Sequence, residues 1–183
     1  MPSTLAPFGL VVWSLGFFGR HALVVLGLAL IAAIGRVLQI GRAKRLPKPG
    51  YIALEIGVEV VRLTMVLAIF GDGDPLAAAK GARAWLSAPG RSSLLARLAG
   101  GLGLHWPQVL IAALVFVLVA VVANMIIFAL ARSTRVLALA GGLGVEAPDQ
   151  KSLRLAVMLF IKNLTIIPFT VIWVWGLLAF LIR

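Results

Sequence analysis

Long apolar runs broken by short charged clusters set the pattern of this chain. The run YIALEIGVEVVRLTMVLAIF, Tyr51 to Phe70, is apolar except for a few positions, of which Glu55, Glu59 and Arg62 carry charge. At about 1.5 Å per residue it covers roughly 30 Å, the thickness of a bilayer's hydrocarbon core. Runs of similar character predict membrane-crossing helices over residues 22–41, 51–71, 107–131 and 164–182. The expected fold is therefore an all-α integral membrane protein with four transmembrane helices, interfacial elbow helices and a short external helical hairpin, in one transmembrane domain over residues 1–183.

Between these runs the polar positions predict smaller elements. Residues 5–19 are broken by Pro7, Gly9 and Gly16 and end before Arg20-His21, so they read as an interfacial helix, with a short fifth span as the alternative. Asp74 before Pro75 predicts a helix start, because Asp caps free N–H groups and proline suits the first helical position. The segment 75–104 reads as an external amphipathic pair of helices with a turn at Pro89-Gly90; a re-entrant hairpin is the alternative. Gly100-Gly101-x-Gly103 and Gly141-Gly142-x-Gly144 read as flexible connections. Neither carries the lysine of a phosphate loop, so nucleotide binding is not expected. Pro168 is expected to kink the last span and free a carbonyl four residues earlier. The stretches before and after Arg20-His21 and Lys162-Asn163 share one layout, and two elbow-plus-span units arising independently explain it better than an inverted repeat.

Composition sharpens the class. The 183 residues are 62% hydrophobic with a mean hydropathy of +1.08, well above an ordinary soluble domain. Four spans and their loops leave no room for a soluble catalytic domain. The formal charge of +11 comes from 17 Lys+Arg against 6 Asp+Glu. Because many basic residues flank apolar runs, they predict topology and headgroup contact rather than nucleic-acid binding. Arg42, Lys44, Arg45 and Lys48 place their linker in the cytoplasm and both termini outside; Lys80 and Arg83 join them as expected lipid-headgroup contacts. No cleavable leader is expected, since MPSTLAPFG lacks a basic start. Arginine outnumbers lysine twelve to five, which, with the abundant Ala, Gly and Leu, points to a bacterial inner membrane.

Candidate chemistry is sparse. No cysteine is present and the two histidines, His21 and His105, are far apart, so no metal site and no cofactor are expected. There is no catalytic triad or metalloprotease motif, and an enzyme is not expected. Spacings of four and three residues put Glu55, Glu59 and Arg62 on one helical face. Charge at that depth is costly unless it faces protein or water. Arg62 can neutralise Glu59, and Arg36 or Lys162 can supply counter-charge to Glu55. His105-Trp106-Pro107, Trp173 and Trp175 suit an interfacial aromatic belt, with a stacking site as the alternative. Asn124 suits an interhelical hydrogen bond. These features predict a non-catalytic subunit of a larger membrane complex, in transport or envelope biogenesis, that docks on other membrane-protein subunits through the charged face and contacts membrane lipids. The alternative is a small homo-oligomeric transporter or channel with Glu59 as its proton- or cation-coupling group.

Overall fold

A computed structural model describes residues 8–42, 46–86, 88–143, 145, 147 and 149–182. Among them the chain is helical, without strands. The elements are α1 (Gly9–Arg20), α2 (Ala22–Arg42), α3 (Lys48–Phe70), α4 (Pro75–Leu86), α5 (Ala88–Arg132), α6 (Thr134–Gly142), α7 (Gln150–Leu164) and α8 (Ile166–Leu181). Three stretches, Ala22–Gly41, Ser92–Arg132 and Gln150–Leu181, are long and apolar enough to cross a membrane. These mark the chain as a membrane protein. Although α3 is 23 residues long, it stands apart because it carries Glu55, Glu59 and Arg62.

Contacts divide the described residues into two compact units. One draws on Met1–Val25, Val66–Val119 and Phe169–Arg183. Within it, α1 buries Leu10, Ser14 and Phe17, a spacing of four and three that turns one face inward. Leu10 packs with Ala112 and Trp173. Gly176 of α8 lies against Trp13 and Leu10, and Gly101 of α5 against the Leu181 carbonyl; a Cβ at either place would clash. Trp175 stacks on Phe70 with centroids 4.7 Å apart. Trp173 and Trp175 are thus buried packing residues, not the belt expected of them, because Trp173 packs with Leu10 and Ala112 and Trp175 stacks on Phe70. Trp106 stays exposed.

The same unit holds two well-marked helix ends. Gly73 N–H donates to the Ala68 carbonyl at 2.7 Å, and Asp72 N–H to that of Ile69. This is a Schellman closure of α3, with Asp72 in the left-handed position (φ 53°) followed by Gly73 (φ 99°). His21 Nε2 then meets Asp72 Oδ1 at 3.0 Å. Asp74 Oδ1 accepts from the N–H groups of Leu76 and Ala77 at 2.8 and 3.2 Å, so the cap expected from Asp74-Pro75 forms. The turn expected at Pro89-Gly90 does not: both residues lie in the first turn of α5, where proline's missing N–H breaks no helical bond. Gly100, Gly101 and Gly103 are helical as well. The break in α5 comes at His105 (φ −120°, ψ 17°), two residues before Pro107, which cannot donate to the preceding turn.

The second unit comprises Leu26–Met65 and Ala120–Pro168. Here α6 and α7 form a hairpin, with Leu137 and Val157 clustered on Ala131. Asp149 caps α7 by accepting from Ser152 N–H at 2.7 Å. Gly141 and Gly142 belong to α6 rather than to a flexible connection, and Gly144 lies outside the described residues. Asn124 donates to the Ala120 carbonyl of its own helix at 2.7 Å, where an interhelical bond was expected; the carbonyl one turn back is the nearer acceptor. Helix α7 ends at Leu164 and the chain breaks at Thr165. Pro168 therefore falls in the first turn of α8, where it starts a helix instead of kinking one. The 16 residues of α8 reach about 24 Å, less than a full bilayer core, so the expected span 164–182 is completed only with α7.

Candidate functional site

The polar centre of the second unit grows from α2 and α3. Gly35 of α2 faces Val58 of α3, and a Cβ on Gly35 would overlap Val58 Cγ2. Small residues allow such close backbone approach. The next residue on each helix is then brought together: Arg36 Nη2 donates to Glu59 Oε1. Arg62, one turn along α3, donates from Nη1 to the same Oε1 at 3.1 Å. One carboxylate oxygen serves two guanidiniums.

Two amides extend the cluster. Arg36 Nη1 donates to Gln39 Oε1 at 2.8 Å, and Arg62 Nη2 to Asn163 Oδ1 at 2.6 Å. Asn163 in turn donates to the Leu159 carbonyl at 2.7 Å, which anchors it to α7. Gln39 and Asn163 are 4% and 2% exposed. The Arg36 and Arg62 side chains keep 21% and 24% of their surface, and that of Glu59 keeps 52%. Two buried donors, Gln39 Nε2 and Arg62 Nε, have no acceptor among the described residues.

Of the residues singled out in the sequence, Arg36, Glu59 and Arg62 meet. Arg36 pairs with Glu59 rather than with Glu55, because the Gly35–Val58 contact sets that register. Glu55 is exposed and has no counter-charge among the described residues; Lys162 is half-buried beside Asn163 and makes no ion pair among them. Gln39 and Asn163 were not expected in the site. A polar residue one turn from Arg36, and the asparagine next to Lys162, were the available signals. Lys48, Lys80 and Arg83 are exposed. Arg42 ends α2, while Lys44 and Arg45 lie outside the described residues.

The outward side of α3 carries Ile52, Ile56, Val60 and Leu63, all more than half exposed, interleaved with Glu55 and Glu59. Beside this apolar-acidic stripe, the cluster behind it is rich in donors and formally positive. The arrangement can pair charge and donate hydrogen bonds, and offers no nucleophile activated by a base. No family model, curated protein or solved structure matches the chain.

Proposed function

We propose that the chain is a non-catalytic subunit of a larger membrane complex, in transport or envelope biogenesis, and that it docks through the outward face of α3. The observation that carries this reading is Glu55: an exposed carboxylate without a counter-charge among the described residues, on a helix face otherwise made of apolar residues and the arginine-paired Glu59. Facing lipid, that charge costs a few kcal/mol; facing a partner helix that supplies a basic or hydrogen-donating group, it fixes register. In this reading α3 is a fourth span, both termini lie outside a bacterial inner membrane, and α1 and α4 lie at its surfaces. The proton-coupling alternative loses support, because Glu59 Oε1 is already the shared acceptor of two arginines, which suits a structural role.

A photo-crosslinker at Ile56, between the two glutamates, tests this in intact membranes, with Leu23, 92% exposed, as the reference site. A discrete adduct with another membrane protein from residue 56, weakened by Glu55→Gln, is expected. Purification as a lone monodisperse monomer, with no adduct at residue 56, refutes the reading.

A further inference from the structure

We infer that the Arg36–Glu59–Arg62 cluster binds an anionic phosphate group, through the free donors of the two arginines and Gln39. The inference goes beyond docking and depends on no partner protein.

Charge is the first ground. Two guanidiniums share one carboxylate, so the cluster keeps an uncompensated positive charge within a predominantly apolar part of the chain. No other acid among the described residues reaches it: Glu55 stands four residues away on α3 without joining. An isolated charge in such surroundings calls for a counter-ion.

Donor surplus is the second ground, and it is independent of the charge. Gln39 is 96% buried by the exposure given above, and its Oε1 is held by Arg36 Nη1. That bond fixes the amide at the cluster and leaves Nε2 without an acceptor among the described residues. Arg62 Nε is likewise buried and unpaired among them. Reversing the amide would set its NH₂ group against a guanidinium, donor to donor, so the orientation is chemically fixed. A bound water could accept one of these bonds and would leave the charge unanswered.

Geometry selects the ligand. The donors come from α2 and α3, and both guanidiniums remain partly open. Planar guanidinium forks match phosphate oxygens in pairs, and a phosphate has enough oxygens to serve donors arriving from two helices. The group can belong to a lipid headgroup or be free phosphate; the chemistry at the cluster is the same.

Two arms of one experiment on the purified full chain separate these sources. Native mass spectrometry after delipidation follows retention of added phosphatidylglycerol against phosphatidylcholine. Thermal unfolding in detergent follows stabilisation by inorganic phosphate against chloride at equal ionic strength. Preferential retention of phosphatidylglycerol alone assigns the site to a lipid, and phosphate-specific stabilisation alone assigns it to the free ion. In either arm Arg36→Gln is expected to weaken the effect roughly ten- to a hundredfold, as loss of a charge-assisted contact does. Gln39→Glu is the second variant and keeps the size of the side chain. It supplies the missing acceptor and the missing negative charge internally, so it is expected to fold and to abolish the anion response. The inference is overturned if neither arm responds in the wild type, or if Gln39→Glu responds as the wild type does.

Discussion

Gly35 and Val58 touch where α2 and α3 come closest, and the touch places Arg36 on Glu59. Val58 is 4% exposed, and there is no space at Gly35 for even a methyl group. The contact between two apolar residues therefore sets the register of the polar cluster. Gly35→Ala is expected to destabilise the protein by about 1–3 kcal/mol, the usual effect of overpacking. Thermal unfolding in detergent reads this directly. Val58→Ala in the same chain is expected to restore part of the loss, since it removes the Cγ2 atom that the new Cβ meets. Equal losses in the single and double variants would separate the register from this contact.

Glu59 and Glu55 are four residues apart on one face, yet they differ in what they hold. Glu59→Gln removes the charge shared by two guanidiniums and is expected to destabilise by about 0.5–2 kcal/mol, in the range of interhelical polar contacts in membranes. Glu55→Gln touches no described partner and is expected to stay within about 0.5 kcal/mol of the wild type in the isolated protein. Parallel unfolding curves of the two variants check the contrast. Equal destabilisation would mean that Glu55 has a counter-charge of its own.

The same pair of glutamates marks how far the sequence could be read. Helical spacing alone puts Glu59 within reach of Arg62, and that pairing forms. The Asp74-Pro75 cap is equally local and equally legible, because its bonds close within three residues. Arg36 was readable as a counter-charge, but not its choice of Glu59, which depends on a glycine meeting a valine across two helices. Asn163 joins from α7, 101 residues beyond Arg62, and no periodicity announces that. The glycines misled in the other direction. Gly101, expected in a flexible connection, is a packing position inside a helix, where the missing Cβ makes room for Leu181, as Gly176 does for Trp13. Read along the chain, a glycine chosen for close approach looks the same as one chosen for flexibility.

Helix α4 depends on its cap. Asp74 accepts two otherwise free N–H groups, and Pro75 removes a third donor from the first turn. Asp74→Ala is expected to destabilise the start of α4 by about 1 kcal/mol. Amide hydrogen exchange should report faster exchange at Leu76 and Ala77, with little change in α7, whose own cap is Asp149. Unchanged exchange at those two amides would show that the cap contributes nothing.

The closure of α3 is tighter still. Gly73 has φ 99°, and a Cβ there would come within 2.6 Å of His21 Nδ1. Both a strained backbone and a displaced ring follow from Gly73→Ala, with an expected loss of about 1–3 kcal/mol. Replacing His21 with Ala in that variant should recover the steric part and leave the backbone part. Thermal unfolding of the three variants separates the two. A Gly73→Ala protein as stable as the wild type would rule out both contributions.

Whether α3 crosses the membrane can be decided from its two ends. Lys48 opens the helix and is exposed, and Lys80 lies exposed on α4 just beyond its closing turn. The chain contains no cysteine, so Lys48→Cys and Lys80→Cys each introduce a single thiol without further engineering. Helix α3 is 23 residues long, about 35 Å at its normal rise, enough to separate the two positions by a bilayer core. In sealed inside-out vesicles an impermeant maleimide is expected to label position 48, since the basic linker favours the cytoplasmic side, and to leave position 80 unlabelled. Right-side-out spheroplasts should give the reverse. Labelling of both positions from one side would take α3 out of the membrane-crossing set, and with it the argument that Glu55 needs a partner within the bilayer.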